Sequence, residues 1–381
     1  MKGRSGLLTD QRGRFVIDDD VAYFNTANLS PLLHRVREAG EEALARRAKP
    51  WTISASDWFA DVEELRSRFA RLISGSVEDI AFVPATSYGL AVAARNLSAG
   101  PGDRVLVLDE EFPSNYYTWH HFAERTGSEL LVVKRAPDQD WTHAILAAID
   151  ERVAIASVPN VHWTNGALVD LHRVAVALRE AGSAFIVDAS QSLGAMPLDV
   201  GELRPDVVVA VGYKWLLGPF SFGYLYLDPN LHDGEPLEEN WILRAGSDDF
   251  SRVDYRSEYL PGARRFDVGQ RTSFHLVPMA MAGIQQLLDW TVPNVAETLR
   301  TRTDEIASRA GALGFRTPPA NARAPHMIGV EVPGDADAAA AALAGAKVIA
   351  SVRGSSIRIA PHLHNSREDL DRLLSVLAAA I

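Results

Sequence analysis

Residues 184–217 read AFIVDASQSLGAMPLDVGELRPDVVVAVGYKWLL. Two apolar runs rich in β-branched residues, 184–187 and 207–211, are short enough to be buried strands rather than helices. The first ends on Asp188; the second leads through Gly212 and Tyr213 into Lys214, 26 residues after the aspartate. A carboxylate at the C-terminal end of a strand stands where open α/β sheets bind ligands, although alone Asp188 reads equally well as the cap of a following turn. A lysine after a wholly apolar strand is costly to bury unless it is paired, neutral or covalently used. Taken alone, it reads better as a side chain that snorkels to solvent. The chain has only five lysines, Lys2, Lys49, Lys134, Lys214 and Lys347, and Lys214 alone combines a buried strand, a following Trp215 and a nearby Gly218-Pro219 turn. Two such strand ends in one crevice would set a desolvated amine, able to form a Schiff base with an aldehyde, beside an acid.

Outward from this pair, apolar runs at 80–83, 104–108, 130–133, 153–158 and 222–227 continue the strand pattern. Helical stretches at 88–96, 116–125, 142–150 and 171–180 lie between them. Strands alternating with helices imply an α/β fold, with a mostly parallel central sheet of about seven strands and helices on both faces. The last two strands follow one another without a helix, so that part of the sheet is expected to be antiparallel. Residues 228–269, rich in Pro, Gly and charge, read as a long irregular segment with functional loops. One long helical pattern spans 277–313. Strand 327–332, helix 335–343, strands 348–352 and 357–360 and helix 367–380 form a small α+β unit. The expected division is a large α/β domain over 21–260 and a small α+β domain over 261–381, joined by the segment 1–20.

The 381 residues include 38 Lys plus Arg, 49 Asp plus Glu and no cysteine, for a net charge of −11. Zero cysteine excludes disulfides, thiolate zinc sites, iron–sulfur clusters and thiol nucleophiles. An acidic chain without a basic block is a poor partner for nucleic acid or anionic membrane. No apolar run approaches the ~20 residues of a membrane-spanning helix. Residues 1–20 lack the apolar core of a signal peptide, so a cytoplasmic location is expected. P-loop, nicotinamide-type glycine, nucleophile-elbow and H-E-x-x-H motifs are missing. His120 and His121 are adjacent and point apart; His362 and His364 are two apart. Both pairs are expected as polar loop and surface histidines rather than metal ligands.

Residues 82–90 read FVPATSYGL: a strand ends and Thr86 and Ser87 open a helix. Free N–H groups and hydroxyls at a helix N-terminus suit a phosphate. By itself the motif is a plain helix cap; with Lys214 and Asp188 at other strand ends, phosphate binding is the better reading. Pyridoxal 5′-phosphate (PLP) needs this set: a lysine for the aldehyde, an acid for the pyridine nitrogen and a cup for the phosphate.

The segments YFNTANLSP (23–31), VDASQSLGAMPLDV (187–200), GYKWLLGP (212–219) and IRIAPHLHNSREDLDRL (357–373) resemble the class V aminotransferase group of fold-type I PLP enzymes, which includes cysteine-desulfurase-like, kynureninase-like and isopenicillin-epimerase-like proteins. The resemblance implies that Lys214 carries the cofactor and then moves protons, and that Asp188 pairs with the ring nitrogen. It implies that Gln191 meets the phenolic oxygen and that Thr86, Ser87 and Tyr213 hold the phosphate. Gly212 stands where relatives often have a phosphate-binding serine. Phe112, in EFPSNYYTW (111–119), replaces a ring-stacking histidine. Gly269 and Gln270, in RRFDVGQ (264–270), match a segment that reaches the neighbouring subunit's phosphate. Arg358 matches the arginine that clamps the substrate α-carboxylate, a geometry that suits a planar guanidinium. Asn28 and Trp163 fall in segments lining the substrate pocket, and Trp241, Tyr255 and His362 are further candidates there. A homodimer with shared active sites is implied, with the loop of Trp241 and Arg244 as a cross-subunit contributor. The expected activity is of aminotransferase type on an amino acid. A C–S lyase, an epimerase and a non-catalytic protein of this fold are the alternatives. A persulfide-forming desulfurase is excluded on chemical grounds, because its mobile cysteine has no counterpart.

Overall fold

The computed structural model describes residues 6–9, 11–136 and 140–379; Lys2 and the expected last helical residue, Ala380, lie outside them. The strands along the chain are β1 (Ala22–Tyr23), β2 (Ile80–Val83), β3 (Arg104–Leu108), β4 (Glu129–Val133), β5 (Val153–Pro159), β6 (Ala184–Asp188), β7 (Val207–Val211), β8 (Gly223–Leu227), β9 (Ile328–Glu331), β10 (Val348–Ile349), β11 (Ser351–Arg353) and β12 (Ser356–Ile359). Among the described residues seven of them form one sheet, in the order β2-β8-β7-β6-β5-β3-β4. β8 runs antiparallel to both its neighbours, and the other pairs are parallel. The C-terminal ends of β2, β3, β5, β6 and β7 therefore lie along one edge.

Side chains alternate across the sheet, and each face has its own core. On one face Val207 and Val209 join Val83, Val105 and Leu225 beneath Leu90 and Val92 of helix Thr86–Asn96 and Trp119 and Phe122 of helix Pro113–Thr126. On the other, Val208 and Ala210 join Phe82, Leu106 and Tyr224 against Leu65 and Phe69, Val174 and Leu178, and Ile284 and Leu287 from three further helices. Each fully buried aliphatic side chain contributes about 1.5–3 kcal/mol. A smaller core joins Ala22 and Phe24 to Ile306, Ile328, Ile357, Ile359 and Leu373 around the three-stranded sheet β11-β12-β9.

Several expected elements are revised. Helices His34–Arg47 and Ala60–Leu72 are additional to the sequence reading. The first buries only Val36, Gly40 and Ala43, a faint apolar stripe in a polar helix. The pattern over 277–313 is two helices, Leu276–Trp290 and Val292–Ala312, broken where Thr291 takes φ 61°. Pro293 then sits in a first turn, where its missing N–H costs nothing. Val277, Ile284, Leu287, Val295 and Leu299, expected in the C-terminal unit, pack into the larger core. The strand expected over 348–352 divides between two sheets: β10 pairs with β1, and β11 with β12. Residues 228–269 are irregular, with three short 3-10 turns.

His362 and His364 are not surface residues: both are fully buried near Phe15, Trp290 and Trp215. Burial drives His362 down to about 3 and His364 well below the usual imidazole range, so both rings are neutral. His121 is exposed and His120 half-exposed, both on the surface as expected.

Candidate active site

Lys214 follows β7 by three residues and is 7% exposed. It lines a cavity of about 230 Å³ together with Thr86, Ser87, Phe112, Trp163, Asp188, Gln191 and Tyr213. Burial lowers its amine to about 8, with Arg358 and Arg353 pushing the same way and Asp188 opposing. Its Nζ lies 5.4 Å from the ring centre of Phe112 and 5.8 Å from that of Tyr213. Among the described residues nothing hydrogen-bonds this Nζ. The result is an amine held in a buried, aromatic-walled place with its lone pair within reach near neutral pH.

Asp188 ends β6 between Pro159 of β5 and Val209 of β7. Its carboxyl is raised by burial, against the opposing pull of Ser190 and Lys214. Ser190 donates its backbone N–H to Asp188 Oδ1 at 2.9 Å, and its hydroxyl lies 2.9 Å from that of Thr86. One serine thus ties the acid to the N-terminus of helix Thr86–Asn96. That helix has no side-chain cap. Tyr88 and Gly89 donate to the carbonyl of Ala85. The N–H groups of Thr86 and Ser87 have no partner among the described residues, so the positive end of the helix is open to the cavity.

Gln191 is committed at both ends: its amide nitrogen donates to the Ala27 carbonyl at 3.0 Å and its oxygen accepts from the Trp215 indole at 3.1 Å. Its carbonyl lies 2.6 Å from His326 Nε2. Phe112 and Trp163 meet edge to face, ring centres 5.7 Å apart. Gly194 lies at φ +101°, and a Cβ there would stand 2.2 Å from the Trp215 carbonyl. This glycine lets the turn after β6 pack on the segment carrying Lys214. Gly212 is explained similarly, since a side chain would begin 2.7 Å from the Phe222 carbonyl.

Arg358 is 1% exposed and donates to the Trp163 carbonyl at 2.7 Å. Burial lowers its guanidinium to about 9. Its Nε and Nη2 have no partner, and no carboxylate pairs with it among the described residues. An unpaired buried guanidinium is costly, and an incoming anion removes the cost. Asn28 and Gln270 are exposed and Gly269 is half-buried, and all three lie outside the cavity lining. Asp267 pins that last segment: it accepts from the Phe82 N–H at 2.7 Å and from both Arg66 and Arg271, all buried. Tyr255 is fully exposed and His362 fully buried, and neither lines this cavity.

Ser190 and Glu111 also line the cavity and have no role in the sequence-based expectation. Ser190, two residues after Asp188, has no local sequence signal that sets it apart. Glu111 is 7% exposed, and burial raises its carboxyl to about 8, with Asp188 adding to the shift. Its Oε1 accepts from the Phe112 N–H at 2.7 Å, while Oε2 has no partner. No helix among the described residues is long and apolar enough to cross a membrane, and no group of three or more potential metal ligands occurs among them.

An uncharacterized aminotransferase of Bacillus subtilis, YcbU, is 28% identical over 331 residues, covering 85% of this chain and 86% of that one. Isopenicillin N epimerase of Streptomyces clavuligerus is 25% identical, covering 97% of each chain. The solved structure of a lysine variant of C-DES, with glycine linked to its PLP cofactor, superposes with a TM-score of 0.87 at 19% identity, covering 97% of this chain and 99% of that one; this likeness shows the fold. The family model described as aminotransferase class-V matches residues 51–373, the span that holds the sheet, its ligand edge and Arg358, and the chain belongs to that family.

Proposed function

We propose that the chain is a PLP-dependent enzyme of aminotransferase type acting on an amino acid. The observation that carries the reading is a buried, unpaired amine, Lys214, sharing one cavity with a buried carboxylate, Asp188, and an uncapped helix N-terminus. The donor set fits the cofactor. When bound, PLP supplies an electrophilic aldehyde and a ring that withdraws electrons from the substrate Cα. Lys214 would hold the aldehyde carbon and later take or return the Cα proton. Asp188 would face the ring nitrogen, where a cation beside it offsets the cost of burying its charge. Thr86 and Ser87 would hold the phosphate through backbone N–H and hydroxyl groups, and Tyr213 would help. Phe112 would cover one ring face. Gln191 would meet the phenolic oxygen with the second hydrogen of its amide nitrogen. Arg358 would orient the substrate α-carboxylate with its free Nε and Nη2. Asn28 and Trp163 would border the substrate.

The reading includes a homodimer. Gly269 and Gln270 would then act on the partner's phosphate, consistent with their place outside this chain's cavity. The exposed Trp241, Phe250 and Tyr255 offer apolar area for such contact. With no cysteine in the chain, no thiol can take sulfur from a substrate, so the proposal excludes formation of a protein persulfide. Incubation with amino acids and a keto-acid acceptor tests the reaction. Keto acid formed in step with amino transfer supports it. Ammonia and keto acid released without an acceptor would replace it with elimination, and racemisation alone with epimerisation.

A further inference from the structure

The hairpin of β11 and β12 sets Ser351 opposite Arg358 and Arg353 opposite Ser356. Residues directly opposite share a face, so these four project from one side, and the two arginines are diagonal neighbours within reach of one another. Ile357 and Ile359 point the other way, into the small core. The polar side faces Trp163. Arg358 donates to its carbonyl, and the guanidinium of Arg353 lies over its ring, 5.3 Å from the centre. Trp163 in turn lines the cavity of Lys214.

Polar atoms on this side lack partners: Arg358 Nε and Nη2, Arg353 Nε and Ser351 Oγ. Neither guanidinium makes an ion pair among the described residues, in a chain where acids outnumber Lys and Arg by 49 to 38. Arg353 also bears on its neighbours: after burial, it is a cause that lowers Arg358 and Lys214. Two adjacent cations, Arg358 buried and Arg353 partly exposed, call for two negative charges. One carboxylate can bridge both guanidiniums, as Asp267 does between Arg66 and Arg271, but it brings one negative charge against two positive ones.

We propose that this face reads a substrate with two anionic groups: Arg358, helped by the Ser351 hydroxyl, takes the α-carboxylate, and Arg353 takes a second carboxylate at the far end of the side chain. The substrate class is an acidic α-amino acid. The proposal rests on the amino-acid reading above and adds the substrate side chain to it.

The test titrates cofactor-loaded enzyme with aspartate, glutamate and 2-aminoadipate, and with asparagine, glutamine and norvaline, each in both enantiomers. Binding is read as the change in the visible spectrum. Calorimetry with glutarate and butyrate repeats the comparison without an amine. The wild type should bind acids at least about tenfold more tightly than amides or neutral analogues. Arg353→Gln should bring that ratio to about one, and Arg353→Lys should restore part of it. Equal affinity for acids and amides in the wild type would overturn the proposal. So would an equal loss for both in Arg353→Gln, which would mean that both arginines share one carboxylate. A yellow protein whose spectrum no amino acid changes would overturn the amino-acid reading itself, a different failure from a lost preference.

Discussion

Lys214 and Glu111 are two groups that burial drives toward neutrality from opposite sides, the amine down to about 8 and the carboxyl up to about 8. For Glu111 the folded value lies above the unfolded one. Its contribution to stability is therefore fully present below the unfolded value and is lost as pH rises toward about 8. Glu111→Gln removes this dependence. Its stability relative to wild type should rise between pH 5 and pH 8 by on the order of a few kcal/mol, read as urea midpoints. A difference independent of pH would contradict the burial argument. Lys214 and Asp188 were legible because a charge at the end of an apolar strand is a local anomaly. Glu111 was not. In EEF either glutamate could face water, and it is Glu110, exposed at φ 52°, that turns the next side chain inward.

The segment 264–270 shows how an element is fixed by charge rather than by periodicity. Asp267 is buried between Arg66 and Arg271 and also accepts from the Phe82 N–H, so it ties an irregular loop to edge strand β2. Asp267→Ala leaves the buried Arg271 without its carboxylate and Arg66 with Glu63 alone, and should cost about 3–5 kcal/mol in chemical denaturation. A loss under about 1 kcal/mol would mean that solvent reaches the pair. The strands were readable almost residue by residue, because a fully covered sheet demands unbroken apolar runs. The division of 348–352 was not, because it depends on which distant strands the backbone meets, whereas the break at Thr291 has a local signal in Pro293. Gly212 belongs here too. The β7–β8 pairing brings the Phe222 carbonyl against it, so Gly212→Ser should destabilise the protein by about 1–3 kcal/mol rather than add a phosphate contact. Tighter PLP binding by that variant would contradict this.

Across the whole molecule, the rings of His326, His362 and His364 gather around Trp215 and Phe15 of the larger core. Burial holds His326 at about 4 and His362 at about 3, with His364 also low. These folded values lie below the unfolded one, so the stability the rings carry is present above about pH 6.5 and is lost as pH falls toward 4. Each ring contributes up to about 1.4 kcal/mol per pH unit in that window. His362→Gln should make the acid limb of the stability curve shallower by about one proton's worth, and an unchanged slope would contradict the assignment. His362 and His364 are expected at the surface because a polar pattern, HLHN, gives no sign that the loop is buried. The α/β class was legible at this level from the alternation of elements, and the reaction was not, because several reactions share one set of cofactor contacts.

Borohydride reduction of the PLP-loaded protein, followed by peptide mapping, tests the central claim most directly. With Lys214 as the attachment point, the visible band is lost and one pyridoxyl group per chain appears on Lys214, with neither in Lys214→Ala. A label on Lys49, Lys134 or Lys347, or a protein that takes up no PLP, would contradict it.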